Sequence, residues 1–115
     1  MSRSSLDLLK GTLDVLILKT VSWGPMHGYA ISRWLRETTE DCFTVEEGAL
    51  YPALRRLEKK GWLEAEWGLT DTGRQAKFYR LTDAGKHRLD HEVAQWTRYV
   101  DAMSRVLMHA PPSRP

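Results

Sequence analysis

The sequence predicts a mainly α fold with a small β-hairpin, in which three helices lead into the hairpin and one long helix follows it. Three observations predict this. Apolar residues recur at three- and four-residue spacing in several separate stretches, which is the period of a helix with one buried side. Between residues 62 and 82 the pattern changes to alternation, interrupted by a turn-forming run. From residue 83 the helical period returns and is sustained for about 25 residues, or roughly 37 Å of helix.

The elements follow in order. Leu6, Leu9, Leu13, Leu16 and Thr20, flanked by Leu8 and Ile17, make one side of a first helix that ends at Ser22. WGPMHG holds one proline and two glycines, a dense turn signal, so a second helix begins near His27 and carries Ile31, Trp34 and Leu35 inward. Polar residues 37–41 break it. Thr44 begins T-V-E-E, where Thr44 and Glu47 match a capping box, each side chain satisfying a free backbone donor at a helix start. The third helix runs to Lys60 and stops at Gly61, which accepts the left-handed conformation common just past helix ends.

Two strands are expected at Trp62–Gly68 and Ala76–Thr82, with Leu63, Ala65 and Trp67 alternating against Glu64 and Glu66. LTDTGRQ supplies the bend, and Arg74, Lys77 and Arg80 give the hairpin a basic rim. In the last helix Leu89, Val93, Trp96, Val100, Met103 and Leu107 are spaced four, three, four, three and four, a heptad seam. The expected organisation is therefore a body over 1–82, a long helix over 83–108 and a loose tail over 109–115.

Composition bounds the function. A chain of 115 residues, 42% hydrophobic and 28% charged, forms one folded domain with one small core. The net charge of +2 permits nucleic-acid binding without requiring it, so any basic signal has to be positional. The single cysteine, Cys42, excludes an internal disulfide and fits a reducing cytoplasm. Leu13–Val21 is too short to span a bilayer and is interrupted by Asp14 and Lys19, so no membrane association is expected. No nucleophile, base and stabilising pocket can be assembled from any motif, which argues against an enzyme, and no cofactor is implied.

The third helix contains the local contradiction. In GALYPALRRL, Pro52 removes one backbone donor and crowds the carbonyl of Gly48, at a cost of roughly 3 kcal/mol. On a wheel of about 100° per residue, Leu50, Leu54 and Leu57 share the core side, while Gly48, Pro52, Arg55, Arg56 and Lys59 occupy the far side. Two small or flat positions beside three cations let another backbone approach closely while guanidinium groups reach phosphates or guanine edges. Residues 44–80 hold seven Lys or Arg against six Asp or Glu, so the signal lies in the arrangement and not in the sum.

Three helices followed by a hairpin is the order of a winged helix-turn-helix, whose third helix enters the DNA major groove. LLKGTLDVLIL, GPMHGYAI, EEGALYPALRRLEKKGWL and GRQAKFYRLTDAGK, over about residues 8–86, resemble the PadR-type transcriptional regulators, in the smaller subclass with one C-terminal helix. The resemblance implies a winged-helix homodimer that binds double-stranded operator DNA, usually as a repressor released by a small molecule or another signal. It implies a phosphate contact from the Tyr51 hydroxyl, groove contacts from Arg55 and Arg56, and wing contacts from Arg74 and Lys77. It also places Pro52 in the L-Y-P block of the recognition helix; with Gly48 as its partner four residues earlier, the expectation drawn from these residues is a bend that sets the angle at which Tyr51 and Arg55 meet DNA. Departures are Ala49, where relatives carry a hydroxyl, Glu46, which opposes phosphate, and Gln75 and Ala76, which make the wing less basic.

The heptad seam of Leu89, Val93, Trp96, Val100, Met103 and Leu107 exceeds what the remaining chain can cover, and dimerisation is the economical solution. In the family the first helix, here with Leu6, Leu9 and Leu13, packs against the partner's last helix. Trp96 matches an aromatic that flanks a ligand pore in some small relatives, with Val100 and Met103 beside it and Asp101 able to attract a cation. Two alternatives stay open: a multidrug- or metal-sensing regulator with its effector at the dimer interface, or a winged-helix module that binds protein. His87 and His91, four apart on one helix with Asp90 and Glu92 alongside, could share a metal ion, but no further histidine or cysteine completes the set.

Overall fold

The computed structural model describes residues 11–113. Over these the chain runs α1 (Thr12–Thr20), a 3-10 turn (Val21–Trp23), β1 (Met26–His27), α2 (Gly28–Thr38), α3 (Glu47–Lys59), β2 (Leu63–Leu69), β3 (Gln75–Leu81) and α4 (Asp83–Leu107). The predicted helix-rich fold with a hairpin and a long last helix is present. Leu6 and Leu9, expected to start the first helix, lie outside the described residues.

The apolar stripes meet in one core. Ile17, Leu18 and Val21 come from α1 and its turn, Ile31 and Leu35 from α2, and Leu50, Ala53, Leu54 and Leu57 from α3. Leu63 and Tyr79 close it from the sheet, and Leu89 from α4. Burying each leucine or isoleucine contributes about 1.5–3 kcal/mol, so this set offsets much of the backbone ordering. Thr20 is buried among them and donates its hydroxyl to the Leu16 carbonyl at 2.7 Å.

α3 starts later than its sequence suggests. Its N-cap is Glu46, in extended backbone with no side-chain cap, so the capping box expected from Thr44 and Glu47 is corrected. Val45 explains the shift: its side chain is buried and its carbonyl accepts the Ser32 hydroxyl at 3.2 Å, which holds the segment along α2. A helix can begin only beyond that anchor, where the amides of Ala49 and Leu50 reach the Glu46 carbonyl.

The stop at Gly61 is as predicted. Gly61 has φ +78°, its amide reaches the Glu58 carbonyl, and the Trp62 amide reaches that of Leu57, the paired bonds of a Schellman motif. α4 begins on the same turn. The Thr82 hydroxyl accepts from the Gly85 amide at 2.9 Å and donates to the Gly61 carbonyl at 2.7 Å. Gly85 must be glycine here, since a Cβ would stand 2.1 Å from the Trp62 carbonyl oxygen.

The strands form one antiparallel sheet of order β1-β3-β2, with Leu63 opposite Leu81 and Leu69 opposite Gln75. β1 was not expected; the dense turn signal of WGPMHG hid it. Two residues are too few to show alternation, and Met26 and His27 become a strand because β3 passes beside them.

Candidate nucleic-acid interface

α3 turns four different sides to its surroundings. Leu50, Ala53, Leu54 and Leu57 are buried, as the wheel required for the three leucines. Arg56, on one flank, gives its Nη2 to the Asp14 carboxylate of α1 at 2.6 Å. Glu58, on the opposite flank, takes the Lys77 ammonium of β3 at 3.2 Å. Gly48, Pro52, Arg55 and Lys59 are exposed between these ties. The recognition-type helix is thus clamped on both sides and open along its outer edge.

A groove runs from that open edge to the wing. Tyr51 and Arg55 of α3, Tyr29 and Arg33 from the first turns of α2, Trp67 and Arg74 of the wing, and Lys77 line it, with Glu47 and Asp71 as its carboxylates. Local geometry sets each side. His27 caps α2 by accepting the Ala30 amide on Nδ1 at 3.3 Å, which starts the helix at Gly28 and projects Tyr29 outward. The tip of the wing is tied by Thr70, whose amide reaches the Arg74 carbonyl at 2.8 Å, and by Gly73 at φ +81°. Tyr51 lies against Gly28 so closely that a Cβ there would be 2.9 Å from its hydroxyl.

The sequence-predicted residues divide into two groups. Tyr51, Arg55 and Arg74 share the groove, Lys59 continues its edge, and Pro52 lies on the same exposed side. Among the described residues Arg55, Lys59 and Arg74 have no carboxylate partner, so their charge is available to a polyanion. Arg56 and Lys77 do have partners, Asp14 of α1 and Glu58 of α3, in ion pairs that join α3 to α1 and to the wing. Arg80, on the basic rim, pairs with Glu64 across the strands. Tyr29, Arg33 and Trp67 were missed; the GPMHGYAI block could have supplied Tyr29, but nothing in the spacing of Trp67 separates it from the core residues Leu63 and Ala65.

Tyr79 sits behind the groove, 4% exposed. Burial raises its phenol above the ordinary value of 10.0, and the nearby Lys77 ammonium opposes that rise. It is a neutral floor to the groove and not an anion.

The long helix presents the other candidate surface. Only Gly85 and Leu89 of α4 are buried, while Val93, Trp96, Val100, Met103 and Leu107 are all exposed. Tyr99 and Val106, which the heptad count left out, widen the apolar area. Trp96 and Tyr99 stack with centroids 6.1 Å apart and line a groove with Gln95, Asp101 and Val15 of α1. Val100 and Met103 lie outside that lining, and Leu13 packs on the core with part of its side chain still accessible. Among the described residues no three His, Cys, Asp or Glu side chains are disposed to share a metal ion; His87 and His91 are exposed and Glu92 is paired with Arg88 at 2.5 Å. No helix of the described residues is long and apolar enough to cross a membrane.

Comparison with known proteins agrees with this fold. Residues 17–91 match the model of the Transcriptional regulator PadR-like family. A transcriptional regulator of Mycobacterium tuberculosis is 40% identical over 87 residues, which cover 75% of this chain and 77% of that one. The negative transcriptional regulator PadR of Bacillus subtilis is 29% identical over 77 residues, 67% of this chain but only 42% of its own length. Among solved structures, a PadR-like transcriptional regulator from Bacillus cereus superposes with a TM-score of 0.78 at 28% identity, covering 89% of this chain and 97% of that one.

Proposed function

The chain belongs to the PadR-like family of transcriptional regulators, and from that premise we propose that it is a homodimeric repressor binding double-stranded operator DNA through α3 and the wing. The observation that carries this reading is that Arg55 and Arg74 line an open groove, with Lys59 exposed one helical turn beyond Arg55, and that none of the three has a carboxylate partner among the described residues. α3 lies in a major groove with Arg55 and Lys59 toward bases and phosphates, and Tyr51 donates its hydroxyl to a phosphate oxygen. Arg74 meets the adjacent backbone from the wing. Arg56 and Lys77 act mainly by holding α3 at the angle this requires.

Two copies join through α4, because its exposed stripe has no cover among the described residues of one chain. Pairing across a twofold axis sets two α3 helices on two half-sites. The negative sense of regulation follows the Bacillus subtilis relative, whose name carries it. The protein works in the cytoplasm, where its operator is. Release by a small-molecule signal at the α4 interface is favoured by the stacked Trp96–Tyr99 pair, whose ring faces suit a planar cation, while Asp101 beside them is taken by Arg105 at 3.0 Å.

Selection of bound fragments from the source genome, followed by anisotropy titration, tests the reading. The selected duplex is expected to bind at about 10⁻⁸ M at physiological salt, far above an unrelated duplex, and to weaken steeply as salt rises. Equal weak binding to every duplex without salt dependence would instead favour a protein-interaction module.

A further inference from the structure

β2 carries its inner face beyond the core. Leu63 is buried and Ala65 half-buried on that face, yet Trp67 is 68% exposed and Leu69 67% exposed. Trp67 lines the groove shared with Tyr51 and Arg55. Its cross-strand neighbour Lys77 does not shield it, since that ammonium is drawn to Glu58 and lies over the Tyr79 ring. The backbone that presents the indole is braced from the other face. Phe78 packs edge-on to His27 at 5.2 Å, and Gly68 lies so near that a Cβ would stand 3.1 Å from the Phe78 ring.

A large apolar side chain has thus been left uncovered inside a groove whose lining sets Arg33, Arg55, Arg74 and Lys77 against Glu47 and Asp71, with Arg33 paired to Glu37 and Arg55 and Arg74 without a carboxylate partner among the described residues. The matching surface is anionic at its edges and apolar between them. Duplex DNA has that character, with sugars and base edges lying between two rows of phosphates. We propose that Trp67, with Leu69 on its outer side, is the apolar contact of the wing with duplex DNA, seated on deoxyribose and base edges beside the groove that α3 enters. The contact rests on the DNA-binding reading above and adds affinity without neutralising a phosphate.

Salt dependence separates this role from that of the cations. Wild type, Trp67→Ala, Trp67→Phe and Arg55→Ala are titrated with the selected duplex between about 50 and 200 mM salt. Trp67→Ala is expected to bind roughly tenfold more weakly at every salt concentration, from lost apolar burial, along a line parallel to wild type. Trp67→Phe should recover most of the loss, and Arg55→Ala should flatten the slope by about 0.9 per lost phosphate contact, or about 1.8 for the two copies of the dimer. Melting temperature should be unchanged in Trp67→Ala, because the indole is exposed. Unchanged affinity in Trp67→Ala, or a flattened slope like that of Arg55→Ala, overturns the contact. So does a fall in sedimenting mass with DNA binding intact, which would make a second copy the occupant. Failure of wild type on every duplex sinks the DNA-binding reading itself, whereas wild-type binding with an indifferent Trp67→Ala sinks only the contact.

Discussion

Two glycines separate stability from function at the scale of single residues. A Cβ at Gly85 would stand 2.1 Å from a backbone carbonyl that cannot move without disturbing the end of α3. Gly85→Ala is therefore expected to cost about 3 kcal/mol or more, measured by urea unfolding. At Gly28 the obstruction is the far end of Tyr51, which can swing outward. Gly28→Ala should change stability by less than about 1 kcal/mol, since helix propensity offsets crowding. It should nevertheless weaken operator binding, because Tyr51 leaves its place in the groove. Tyr79 gives a pH prediction. Its folded pKa is raised above the unfolded value of 10.0, so its contribution to stability is complete below pH 10 and is lost as pH rises through the folded value. Ultraviolet titration should find a tyrosine ionising above the ordinary phenol value, absent in Tyr79→Phe, with stability falling over the same range. No late-ionising phenol lost in Tyr79→Phe would contradict the buried placement.

At the scale of elements, α3 shows both what the sequence made legible and where it misled. The positions of Leu50, Leu54 and Leu57 were readable because period and burial coincide. Its end at Gly61 was equally readable from one glycine. Its start was not: T-V-E-E has the right letters for a cap, but the burial of Val45 overrides local chemistry. The same limit applies to charge. A wheel assigns Arg56 to the outer side, yet a long side chain on the flank takes whichever carboxylate is near, and Asp14 lies 42 residues away in sequence. Trp67 escaped for a related reason, because alternation tells which face a residue occupies but not where the core ends. Pro52 stays inside a continuous helix, with open space around Gly48. Pro52→Ala should raise stability by up to about 3 kcal/mol while lowering operator affinity. Equal affinity in that variant would remove the proposed role of the bend.

At the scale of the whole molecule, a small body carries a 25-residue helix that, among the described residues, is largely uncovered beyond Leu89. The heptad seam foretold this arm, although Tyr99 and Val106 broaden its apolar surface past a simple seam. Sedimentation should give twice the 13.3 kDa chain mass for wild type, and a single chain mass for Val100→Asp combined with Met103→Asp. The same double variant should lose most operator affinity despite an untouched α3, since one half-site then binds alone. A monomeric variant with full affinity would detach the arm from the function.

The proposed unit of action is two copies of one open cationic edge, held by clamps at Asp14 and Glu58 and set a helical turn apart on DNA. Footprinting of the selected operator tests that unit directly. Two protected stretches centred about 10 base pairs apart, or a multiple of that, are predicted, both vanishing together in Arg55→Ala. One undivided stretch, or two that persist without Arg55, would contradict it.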